Sequence, residues 1–188
     1  FFDQAKSKGN TPFLWAKRDG KWQSTTWHQA SEQVEKLSRS LRSYGLSAGD
    51  RILLVADNSP EWAIADFAIM AAGGITVPAY VTNTTDDHKH ILSDSGATMA
   101  IVSTEKLARP LLDAAKHTPS LNRVISIEAL KQDPIEHLTT TLWKDALEHG
   151  DAQPANASDQ AFSIPQDSIA CLIYTSGTGG TPKGVMLS

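Results

Sequence analysis

The sequence predicts an α/β fold, a mostly parallel sheet flanked by helices. Short apolar runs alternate along the chain with segments of helical period. Those helical segments start on capping residues and stop at glycines. The 188 residues are 40% hydrophobic and 20% charged, the composition of a globular chain that can bury a core.

The first clear helix starts at Thr26, an N-cap whose Gln29, three residues on, completes a capping box. Ala30, Val34, Leu37, Leu41 and Tyr44 then share one face, and Gly45 closes the helix. Residues 51–56 (RILLVA) form a short strand of the kind buried on both faces. Asp57, Asn58, Ser59 and Pro60 make a turn in which Ser59 caps a second helix and Pro60 takes its first position. That helix runs to about residue 72, and residues 75–80 give the next strand. Thr84 or Thr85 caps a short helix through Ser95, ended by Gly96. Residues 98–102 make a strand, residues 110–116 a helix with Pro110 at its start or kinking it, and residues 123–127 the fourth clear strand.

Residues 128–166 break this rhythm. They hold one helix over 138–149, capped by Gly150, and then a polar run, DAQPANASDQ, that reads as surface loop. The last elements are an apolar strand over 168–174, a glycine-rich loop and the strand-like Val185, Met186 and Leu187.

Lys and Arg total 17 against 21 Asp and Glu, a net charge of −4 with no long block of one sign. That balance argues against a nucleic-acid binder, which carries a basic stripe. The one cysteine, Cys171, makes no internal disulfide and fits a reducing compartment, so a cytoplasmic location is expected. Residues 62–81 approach a spanning length with Asp66 as their one charge. Gly73, Gly74 and Pro78 divide them into a buried helix and a buried strand, so no membrane span is expected.

The segment that folding alone explains least is Thr175, Ser176, Gly177, Thr178, Gly179, Gly180, Thr181, Pro182, Lys183 and Gly184. Its glycines let backbone N–H groups turn toward a ligand, four hydroxyls add donors and Lys183 adds a positive charge. These groups suit the oxygens of a polyphosphate. The segment follows a buried strand, where open α/β sheets place ligands. Lys183 is followed by Gly184, which excludes the Gly-Lys-Ser/Thr phosphate loop of kinases and ATPases.

YTSGTGGTPKGVMLS closely resembles the phosphate-binding signature of the adenylate-forming (AMP-binding) enzymes: acyl-CoA synthetases, luciferases and peptide-synthetase adenylation domains. It departs at one position, Gly179, where the family commonly has Thr. The resemblance extends upstream through Gly49-Asp50-Arg51, the NSPEW segment and the Val-Pro-x-Tyr strand, wording closest to medium- and long-chain fatty acyl-CoA synthetases. It implies that residues 1–188 are the N-terminal part of an adenylation domain, with 128–166 a variable connecting segment and 175–184 the phosphate-binding loop. The remainder of the large domain and a small C-terminal domain would lie downstream.

The activity so implied is ATP-dependent conversion of a carboxylic acid, expected to be a fatty acid, to an acyl-adenylate and then a coenzyme A thioester. An aryl or amino acid is the alternative substrate, and a non-catalytic nucleotide-binding module the alternative class. By resemblance Lys183 neutralises phosphate charge, and Thr175, Ser176 and Thr178 donate hydroxyls. Mg²⁺ ligands, acyl and adenine pockets are expected outside this chain, which alone is expected to be inactive. The partners implied are small molecules, with no nucleic acid and no membrane span, although self-association of a fragment and peripheral membrane contact of its parent stay open.

Outside the loop, His88 and His90 beside Asp86 and Asp87 read as a solvated helix start rather than metal ligands, because residues two apart on a helix face different ways. Cys171 reads as a small buried hydrophobe. Trp15, Trp22, Trp27 and Trp62 read as packing beneath the first helix.

Overall fold

The computed structural model describes residues 1–131, 133–175 and 180–188. Its N-terminal part is a short helix, α1 (Phe2–Lys8), followed by an antiparallel hairpin of β1 (Pro12–Arg18) and β2 (Lys21–Thr26). The hairpin turns on Asp19 and Gly20, both at positive φ (50° and 77°), the conformation of a two-residue hairpin turn. Alternation then begins: α2 (Trp27–Ser43), β3 (Arg51–Val55), α3 (Pro60–Ala71), β4 (Ile75–Pro78), α4 (Thr85–Ser95), β5 (Met99–Val102), α5 (Glu105–Ala115) and β6 (Arg123–Ser126). It continues with β7 (Thr139–Leu142), α6 (Trp143–Asp151), α7 (Ala157–Phe162), β8 (Cys171–Thr175) and β9 (Lys183–Leu187).

Seven strands form the main sheet, in the order β7-β6-β5-β3-β4-β8-β9. All neighbouring pairs are parallel except the last, where β9 runs back antiparallel to β8. Alternate residues of β3 face opposite sides. Ile52 and Leu54 join α2, α3 and α6 in one buried cluster, while Leu53 and Val55 join α4 and α5 in the other. The sheet is thus the middle of three layers.

The helix starts follow the capping chemistry. Thr26 and Gln29 close a capping box on α2, and Thr84 and Asp87 close one on α4. Ser59 accepts from Trp62 N–H with Pro60 in the first turn of α3, and Gly96 ends α4 in the left-handed region. Among the described residues, no helix is long and apolar enough to cross a membrane.

Between residues 104 and 162 the elements depart from expectation. The helix expected from residue 110 begins earlier, because Thr104 accepts from Leu107 N–H and places Pro110 inside α5. Burial of Leu107, Ala108, Leu111 and Leu112 offsets the roughly 3 kcal/mol that an interior proline costs. The helix expected over 138–149 is a strand and then a helix: Thr139–Leu142 pairs with β6, so the rhythm persists through 128–166. Gly150 lies within α6 rather than capping it, and the polar run after it carries the start of α7.

The tryptophans also divide differently. Trp27 stacks on Phe13 at 3.7 Å between centroids and Trp62 packs against the core, but Trp15 and Trp22 are exposed on the hairpin at 56% and 67%. The outward strand positions they occupy place them away from the first helix.

Candidate functional site

The glycine-rich segment joins β8 to β9 at the carboxyl edge of the parallel sheet, where its stems are held by an antiparallel ladder. Thr175 is paired with Lys183, and Tyr174 with Gly184. A hydroxyl and an ammonium-bearing side chain thus stand opposite each other at the mouth of the segment. Both residues are exposed, as are Gly180 and Thr181, while Pro182 is half-buried. Ser176, Gly177, Thr178 and Gly179, expected to contribute to the same site, lie outside the described residues.

Gly184 has a packing reason to lack a side chain. A Cβ there would stand 3.3 Å from Cζ of Tyr174, whose ring lies across the hairpin. Tyr174 is 5% exposed, and its hydroxyl donates to Asp94 at 2.6 Å. Burial, and then that bond to a carboxylate, hold the phenol well above its usual ionisation range.

Neither histidine of α4 is solvated as expected. His88 is 1% exposed, because residues 88, 91, 92 and 95 form the buried stripe of α4. Burial pushes its imidazole down to about 4, against a smaller opposing pull from the Asp87 carboxylate. His90 is half-buried, and its Nε2 lies 2.7 Å from the carbonyl oxygen of Pro182. Sequence reasoning missed this role. The i, i+4 spacing of His90 and Asp94 on one helix face was the available signal, but the strands it meets come more than 80 residues later.

Cys171, on β8 beside Thr76 of β4, is half-buried rather than buried. Burial, with the neighbouring Asp66 carboxylate, raises its thiol above the ordinary value, away from the thiolate a nucleophile requires. Burial also raises the Asp66 carboxyl. Among the described residues, no three His, Cys, Asp or Glu side chains stand together as a metal site.

Two other places in the fold are set apart from the loop. The order β4-β3-β5 puts the topological switch of the sheet between β3 and β5. That crevice is bridged by the fold's own bonds, Asp57 N–H to Ser103 Oγ and Ser103 N–H to the Val55 carbonyl. An apolar groove of about 1050 Å³ is lined by Gly74, Ile75, Ile169, Ala170 and Ser188 among others, at the amino edge of the sheet, a strand's length from the loop.

A family model described as AMP-binding enzyme matches residues 1–188. The long-chain-fatty-acid–CoA ligase FadD15 of Mycobacterium tuberculosis is 32% identical over 170 residues, which cover 90% of this chain and 27% of that protein. The long-chain-fatty-acid–CoA ligase ACSBG1 of Rattus norvegicus is 30% identical over 189 residues, covering 100% of this chain and 26% of that protein. The chain therefore spans about a quarter of the length of these curated relatives. Among solved structures, the A-PCP didomain of carboxylic acid reductase from Segniliparus rugosus, in complex with AMP, matches with a TM-score of 0.79 at 22% identity, over 97% of this chain and 30% of that one. The anthranilate CoA ligase AuaEII, in complex with anthranoyl-AMP, matches with a TM-score of 0.76 at 26% identity, over 96% of this chain and 32% of that one.

Proposed function

The chain belongs to the AMP-binding enzyme family, and on that premise we propose that it supplies the ATP phosphate-binding loop of a fatty acid–CoA ligase. The observation that carries this reading is the pairing of Thr175 with Lys183 at the carboxyl edge of a parallel sheet, where the two stems of a Gly-, Ser- and Thr-rich segment meet. The fatty-acid assignment draws support from relatives named long-chain-fatty-acid–CoA ligases.

The reaction so proposed has two steps. A carboxylate oxygen attacks the α-phosphorus of ATP, the bond to the bridging oxygen breaks, and pyrophosphate leaves with the electron pair. The thiol of coenzyme A then attacks the acyl carbon, forms the thioester and expels AMP, with its proton passing to solvent. Charge gathers on the leaving pyrophosphate in the first step, and positioned donors with one cation stabilise it. Lys183 is the cation. Thr175, Ser176, Thr178 and Thr181 are the hydroxyl donors, Gly177, Gly179 and Gly180 carry no side chain to keep phosphate from the backbone N–H groups, Gly184 admits the Tyr174 ring beside the lysine, and Pro182 stiffens the return.

The described residues hold no group of three or more His, Cys, Asp or Glu that could take Mg²⁺. This chain spans about a quarter of the relatives that support this reading, and the same reading has the 188 residues inactive on their own. A cytoplasmic location belongs to the same reading and draws on the lone Cys171.

The test is pyrophosphate release by the full polypeptide carrying this sequence, with ATP and acids from acetate to palmitate, plus benzoate, anthranilate and amino acids. Release stimulated by long acyl chains supports the proposal. Release with aryl or amino acids alone keeps the chemistry and discards the fatty acid. ATP binding without release on any acid favours a non-catalytic nucleotide module.

A further inference from the structure

Helix α4 reaches both stems of the 175–184 segment. On the entering strand, the Tyr174 hydroxyl donates to Asp94 at 2.6 Å. Just before the leaving strand, His90 Nε2 lies 2.7 Å from the Pro182 carbonyl oxygen. A carbonyl oxygen only accepts, so Nε2 carries the hydrogen in this contact. His90 and Asp94 stand four residues apart, one turn along the same helix face. Between them the two rings meet edge to face, with centroids 6.0 Å apart and planes at 89°.

We propose that His90 is a positioning residue for nucleotide phosphate: its hydrogen bond to Pro182 sets the direction in which Lys183 leaves the strand. Proline has no N–H and a fixed φ, so the carbonyl is the one backbone polar group that Pro182 itself offers to a partner. That carbonyl belongs to the peptide unit joining Pro182 to Lys183, and holding it fixes the rotation of the plane from which the lysine departs. The opposite stem is held by Asp94 through Tyr174, whose ring also covers Gly184, the residue after the lysine. Contacts from one helix therefore tie down both sides of Lys183, and the contact nearer to it in the chain is His90. The proposal rests on the phosphate-binding reading of the loop, and its test includes a readout independent of ATP.

His90→Phe keeps a ring and removes the donor, whereas His90→Gln keeps an N–H of similar reach. In the full polypeptide without ligand, trypsin is expected to cut the Lys183–Gly184 bond about ten-fold faster in H90F, with cleavage after Lys116 unchanged, the scale of one lost hydrogen bond. The same variant raises KM for ATP by about ten-fold and leaves KM for the acid unchanged. H90Q returns both to within about three-fold of the parent.

Wild-type protection of Lys183–Gly184 in H90F, or equal rises in both KM values, overturns the proposal. If phenylalanine prevents folding, H90A takes its place beside H90Q. Faster cleavage and a raised ATP KM in H90A, restored in H90Q, support the proposal, and parental values in H90A refute it. Faster cleavage in H90F from a parent that uses no ATP overturns the phosphate reading while leaving the grip on Pro182 standing.

Discussion

The Tyr174 hydroxyl donates to Asp94 at 2.6 Å and ties the strand that enters the loop to the helix beside it. Tyr174→Phe removes the donor and little else. The expected loss is about 1 kcal/mol in urea unfolding, because Asp94 is exposed and regains water. Tyr174 should ionise above the ordinary phenol range in an alkaline absorbance titration, since burial and Asp94 both oppose the phenolate.

Gly150 marks the closest approach of two helices. A Cβ there would overlap the carbonyl oxygen of Lys36, so α6 cannot stay where it is against α2 once that atom is added. Gly150→Ala is expected to cost about 2–3 kcal/mol by forcing the helices apart, despite the better helix propensity of alanine. A stability equal to the parent's in urea unfolding would show that the helices can separate freely.

His88 makes stability depend on pH. Its buried imidazole titrates near 4, whereas the unfolded chain takes up that proton near 6.5. The folded state therefore binds fewer protons between these values, and the stability it contributes is complete above about pH 6.5 and lost as pH falls toward 4. The loss amounts to about 2 kcal/mol between pH 7 and 5. His88→Leu, of similar volume, should flatten the wild-type slope over that window in paired urea titrations. An unchanged slope would assign the dependence to other groups.

Signals carried within a few residues were legible without coordinates. Thr26 with Gln29, Ser59 with Pro60 and Gly96 each declare a helix end by local hydrogen bonding or backbone preference. The apolar run of β3 declares a central strand. The β7 strand was not legible, because three threonines at the rim of a sheet lack the apolar signature and pair only once β6 is in place. The β1–β2 hairpin had its Asp19-Gly20 turn in plain view, but its exposed tryptophans resembled core residues. His90 was the hardest to read, since its surroundings are set by strands far along the chain. The candidate loop was identified from its chemistry, whereas the paired stems and the helix that touches both came from the three-dimensional arrangement.

Acid-dependent ATP–pyrophosphate exchange in the full polypeptide, comparing Lys183→Ala with the parent, measures whether Lys183 stabilises the leaving pyrophosphate. Exchange should fall by at least about ten-fold, with KM for the acid unchanged, because the cation acts on phosphate and not on the acyl chain. Exchange at the parent's rate in the variant would contradict that role.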